Sequence, residues 1–175
     1  MTFTVDNLVQ DNTIKVILKS DPALDVTDEE FKEYSKTLDE SKLKLLDGEQ
    51  PTRWVMTTHY KKYAHKQFVD AAKIKVDKSG EMSMLIFEYM TREVRCTLTG
   101  IESPDSVPPE KRLESKIKFQ GDGVLTEDFS LKLGGLVIEL FNVRQAYIEA
   151  QKDGQASLKK RSRPSLNSLS PTMEV

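Results

Sequence analysis

Phe129, Leu133, Leu136, Leu140, Val143 and Tyr147 step by 4, 3, 4, 3 and 4 residues, the spacing that holds one seam of an α-helix against a partner. Leaving six large side chains of this kind in water is unfavourable, so any fold of the chain must cover them. Thr126, followed by Glu127 and Asp128, suits the start of such a helix, because it puts negative charge at the positive end of the helix dipole. Gly134-Gly135 interrupts the pattern at a propensity cost of about 1 kcal/mol per glycine. Either the helix begins near Leu136 or the two glycines admit another backbone at close range. Val137, Ile138 and Phe141 widen the apolar surface beyond one stripe, which predicts more than one neighbour. Only 38% of the chain is hydrophobic, against about 45–50% in globular proteins. Burial inside the same domain is the first reading of this seam; because so much of the apolar content is concentrated here, Phe129, Leu133, Leu136, Leu140, Val143 and Tyr147 are also the candidate partner-binding residues, and a homo-oligomer is a candidate assembly.

The rest of the chain reads as a mixture of short elements. Thr13 to Lys19 is β-branched and partly alternating, and Met1–Val5 is placed to pair with it in a small amino-terminal β-hairpin. Thr27 precedes Glu30 by three residues, the arrangement in which hydroxyl and carboxylate each satisfy a free amide at a helix start. The acidic helix that follows runs to about Leu38 with Phe31 and Tyr34 on one side. Thr52 to Thr58 predicts a short strand around Trp54 and Val55. Tyr60, Tyr63, Ala64, Phe68, Ala71 and Ala72 then recur at helical spacing. After a turn at Asp77-Lys78-Ser79-Gly80, Met82, Leu85, Ile86, Tyr89, Met90 and Val94 share the face of a second helix. Its end is ambiguous, since Val94, Cys96 and Leu98 alternate with polar residues; the reading adopted is helix to about Leu98, ending at Gly100. Three prolines between Ser103 and Pro109 mark a loop, and Gly121-Asp122-Gly123 a turn.

From Gly154 onward Ser, Pro, Lys and Arg replace the apolar pattern, so too little surface is buried to offset the entropy of ordering the chain. The expectation is therefore an α+β fold: one mainly helical domain over residues 1–153 with a small N-terminal β-hairpin, and a flexible basic arm over residues 154–175, extended or disordered.

A formal net charge of −2 gives no global field that would select nucleic acid or an anionic membrane. The densest local positive charge is Lys159, Lys160, Arg161 and Arg163, a weak candidate site for nucleic acid or another polyanion through counterion release. No aromatic residue interleaves with it, which argues against a stacking platform for single strands. The single cysteine, Cys96, excludes an intrachain disulfide and fits a reducing compartment. Met1 to Asp6 lacks the basic start and apolar stretch of a signal peptide, and no run approaches the roughly 20 apolar residues of a spanning helix. A protein that stays where it is made, without a membrane partner, is the expectation.

No reactive centre stands out. His59 and His65 are six residues apart, on different faces of any one helix, unlike the four-residue step at which two imidazoles share a metal. Cys96 would need a histidine folded against it to act as a nucleophile, and a buried thiol packing as a small apolar residue is the commoner role. Asp28, Glu29, Glu30, Glu88 and Glu93 show no spacing that isolates a pair with opposed environments. Gly121-x-Gly123 is too short to cradle a phosphate. The expectation is a protein that is not an enzyme and needs neither cofactor nor metal.

Four stretches carry a family resemblance: Lys19-Ser20-Asp21-Pro22-Ala23-Leu24-Asp25, Glu49-Gln50-Pro51-Thr52-Arg53-Trp54-Val55 before a helix, Val94-Arg95-Cys96-Thr97-Leu98-Thr99-Gly100-Ile101-Glu102, and Leu136-Val137-Ile138-Glu139-Leu140. In order and layout they resemble the small morphogenesis proteins of tailed bacteriophages, which include tail-assembly chaperones and minor virion components. The chain departs from that layout at Ile101, where an aromatic residue is usual, and in the length of its basic arm. The resemblance implies a non-enzymatic virion structural or assembly protein, acting by docking on other virion or assembly proteins in the host cytoplasm or the virion. The rival expectation is a small regulatory module that holds nucleic acid or an acidic protein through the basic arm.

Overall fold

A computed structural model describes residues 12–73, 82–120, 125–127 and 132–161. Three strands, β1 (Thr13–Val16), β2 (Arg53–Thr57) and β3 (Leu98–Glu102), form an antiparallel sheet in that order. Ile14 lies opposite Met56, and Val16 opposite Trp54, which in turn faces Ile101. Alternation sends Val16, Trp54, Met56 and Ile101 into the core, while Lys15, Arg53 and Glu102 face outward. On that outer face Lys15 pairs with Glu102 at 2.8 Å. The register shifts between Val55 and Met56, so that Val55 meets Gly100 while Met56 meets Leu98, and Thr99 is the extra residue.

The described chain also has four α-helices, α1 (Asp28–Thr37), α2 (Tyr63–Lys73), α3 (Met82–Thr97) and α4 (Leu136–Arg161), and three short 3-10 turns. The fold is α+β and mainly helical. At α1 both halves of the expected capping box form: Thr27 accepts from the Glu30 amide, and Glu30 accepts from the Thr27 amide. Phe31 and Tyr34 stack 5.6 Å apart, and the fully buried Tyr34 hydroxyl accepts the Ile17 amide at 2.8 Å, joining α1 to the end of β1. Burial pushes the Tyr34 phenol up to about 12.

Some expectations fall outside the described residues, and others need correction. The described partner of β1 is β2, across the whole of α1, and the Met1–Val5 half of the expected hairpin lies outside the described residues, as do the turns at 77–80 and 121–123. The second helix stops at Thr97 and hands over directly to β3, so Gly100 is a strand residue opposite Val55 and not a helix end. Residues 94–99 read ambiguously because they contain the end of one element and the start of the other. On α2 the buried line is His65, Val69 and Ala72, one residue round from the predicted face, and Tyr63 is 71% exposed.

The break at Gly134-Gly135 ends one helical turn and starts another. Gly134 has φ +50°, and no atom lies within 4 Å of where a Cβ would stand on either glycine. Among the described residues nothing packs against the Cβ position of either glycine, and α4 begins at Leu136.

Helix α4 then runs past Gly154 to Arg161, so the first eight residues of the expected arm are helical. Extending a helix already nucleated by a packed segment is inexpensive. Gln155, Ala156, Leu158, Lys159, Lys160 and Arg161 have good helix propensity, and three cations suit the negative end of the dipole. Residues 162–175 lie outside the described residues.

Candidate functional site

The two halves of α4 have different surroundings. In the first half Val137, Leu140 and Val143 are buried in the core with Val16, Tyr34, Trp54 and Val94, and Leu133 joins them from the preceding turn. Leu136 and Phe141 are half-buried against the same cluster, and Phe141 meets Tyr89 of α3 edge to face at 5.5 Å. The helix touches α1, α3 and β1, the several neighbours its wide apolar surface predicts. Leu133, Leu140 and Val143 are therefore covered by their own chain and are not an open partner-binding face. A 4-3 seam reports that a helix has a partner; it carries no information on whether that partner belongs to the same molecule. Phe129 lies outside the described residues.

At Tyr147 the situation changes. Its half-buried side chain lines a cleft of about 530 Å³ with Asn12, Thr58, His59 and Gln151, between the sheet and α4. From Gln151 to Leu158 every residue is exposed, and Leu158 is 67% exposed. At 1.5 Å per residue, the 26 residues of α4 span roughly 39 Å, and the last third is unsupported by the described residues. Lys159, Lys160 and Arg161 form its final turn, while Arg163 lies beyond the described residues.

A second cleft, of about 470 Å³, runs between α1 and α4. Phe31, Val143, Ala146 and Ala150 give it an apolar floor, with Lys32 and Lys36 on the α1 rim and Glu149 and Asp153 on the α4 rim. It continues toward Ser20 and Glu139, where the Ser20 amide and hydroxyl donate to the Glu139 carboxylate at 3.1 and 3.0 Å.

The most unusual chemistry in the described structure is internal. Arg144 and Glu93 are 2% and 3% exposed and form an ion pair between α4 and α3. Arg144 also donates from Nε to the Thr57 carbonyl and from Nη2 to the Thr58 carbonyl, both at 2.9 Å. Tyr60 donates its hydroxyl to the other Glu93 oxygen, and burial with the adjacent carboxylate raises the phenol well above its ordinary range. Three guanidinium nitrogens and both carboxylate oxygens are thus engaged, which makes the cluster a clamp between β2, α3 and α4. Sequence reasoning misses it because Glu93 and Arg144 are 51 residues apart, so no local pattern contains both. The available signal was position: Arg144 follows Leu140 by four residues and Val137 by seven, inside the buried stripe.

The candidate reactive residues are distributed differently. His59 is exposed, with Nδ1 3.0 Å from the Thr58 hydroxyl. His65 and Cys96 are both buried in the α2–α3 layer, where Cys96 packs against Val69, with Tyr60 and Tyr89 around that pair. Among the described residues no group of three His, Cys, Asp or Glu side chains is placed to hold a metal ion. No described helix is long and apolar enough to cross a membrane.

No protein-family model matches the chain, and neither a curated protein nor a solved structure matches it.

Proposed function

We propose that this chain is a non-enzymatic bacteriophage assembly or structural protein that docks on other proteins through the distal half of α4. The observation that carries the reading is the asymmetry of that helix. Its first half is fixed in the core and clamped by Arg144, whereas every residue from 151 to 158 is exposed. A short helix without tertiary cover is marginal in water, so a solvated extension of this kind gains most from a protein surface laid against it. The proposed docking face is Tyr147 and the residues beyond it, because Leu133, Leu140 and Val143 are buried in the core. The phage context comes from the layout of residues 19–25, 49–55, 94–102 and 136–140.

The test is genetic. Capsid, portal or tail genes should flank the coding sequence, and interrupting it should leave particles incomplete by electron microscopy. A metabolic operon as neighbourhood, or normal yields of complete particles without the chain, would end the proposal.

A further inference from the structure

We infer that the distal half of α4 pairs antiparallel with the same segment of a second copy of this chain, its end lying in the partner copy's α1–α4 cleft. The inference rests on the docking proposed above and names its partner.

The register follows from the residues. In a two-fold antiparallel pair, each residue on one side of the axis faces one equally far on the other side. An axis at Ala150 puts Ala146 opposite Gly154, so three small side chains at four-residue steps occupy the closest approach. Ala146 and Ala150 already form the cleft floor. The same axis sets Leu158, the most exposed apolar side chain on α4, level with Asn142, where Phe31, Asn142 and Val143 line the cleft.

Charge agrees with this register. Lys159, Lys160 and Arg161 come level with residues 139–141, beside Glu139 and the acidic first turn of α1, Asp28-Glu29-Glu30. Nearer the axis Glu149 and Asp153 of each copy approach Lys32 and Lys36 on the partner copy's α1 rim. A parallel pairing would set the cationic ends of the two helices against each other. The antiparallel one matches opposite charges at both ends of the contact and also opposes the helix dipoles.

The full chain is tested by sedimentation equilibrium. The expected result is a reversible dimer of 19.9-kDa chains. Leu158→Asp should weaken it at least tenfold while leaving the far-UV circular dichroism unchanged, and the melting temperature unchanged at dilutions where both proteins are monomeric, because the side chain is exposed in the single chain. Glu139→Lys and Arg161→Glu should each weaken dimerisation, and together restore it. A monomer at every concentration, or a dimer indifferent to Leu158→Asp, overturns the inference. A monomeric chain that still enters particles leaves the assembly role standing without self-pairing. A dimer whose loss has no effect on particles refutes the assembly role and not the pairing.

Discussion

Replacing Arg144 with methionine should be among the most damaging single substitutions in the domain. The change leaves the Glu93 carboxylate buried at 3% exposure and removes the donors to the Thr57 and Thr58 carbonyls. Breaking one side of a buried pair costs about 3–5 kcal/mol, because the remaining charge is uncompensated. With a urea dependence of about 2 kcal/mol per molar, the unfolding midpoint should fall by roughly 2 M. Buried pairs are often nearly neutral when exchanged whole for apolar side chains. The triple variant Arg144→Met, Glu93→Leu, Tyr60→Phe should therefore recover at least half of the loss, since it removes the stranded carboxylate and its tyrosine donor together. The assay is urea denaturation followed by circular dichroism and by fluorescence of Trp54, which lies in the same core. A single-variant loss below about 1 kcal/mol, the range of an exposed pair, would refute the reasoning. So would a triple variant no more stable than the single one.

Other outcomes follow from the same structure. Tyr34→Phe should cost about 1–3 kcal/mol by stranding the Ile17 amide. The wild-type phenol is raised from 10.0 to about 12 by burial, so its contribution is complete below pH 10 and is lost as pH climbs toward 12; the phenylalanine variant should lack that part of the alkaline decline. Arg53 grips Glu40 through two 2.7 Å hydrogen bonds and holds its carboxyl below 4.5. The stabilisation is present above that value and lost as pH falls below it, so Glu40→Gln should flatten the acid limb of a stability-against-pH curve. Cys96 is buried, and a thiol reagent such as DTNB should modify it only as fast as the domain opens, with full reactivity in denaturant. Leu140→Ala should cost about 2–5 kcal/mol in urea denaturation.

Elements governed by local chemistry were legible in the sequence: the capping box at Thr27, the β-branched run of β1, the strand around Trp54, and the start of α4 after two glycines. Decisions made by distant neighbours were not. The helix-to-strand handover at Thr97–Leu98 is set by pairing with Met56 of β2, which no window around residue 97 contains. The face of α2 is selected by its packing on α3, which buries His65 and Val69 and leaves the aromatic Tyr63 in solvent. Burying Arg144 requires Glu93 and two β2-end carbonyls, contributed from parts of the chain far away in sequence. For the candidate site, the periodicity identified the helix that matters but could not separate its internal half from its external one. The polar, basic composition after Gly154 looked like lost structure because it carries no core residues.

The division of α4 is tested most directly by a chain that ends at Asp153, compared with the full chain for both melting temperature and incorporation into particles. The account predicts melting within a few degrees of the full chain, because residues 154–158 are all exposed, together with loss of incorporation. Unfolding of the shortened chain, or its normal entry into particles, would contradict it.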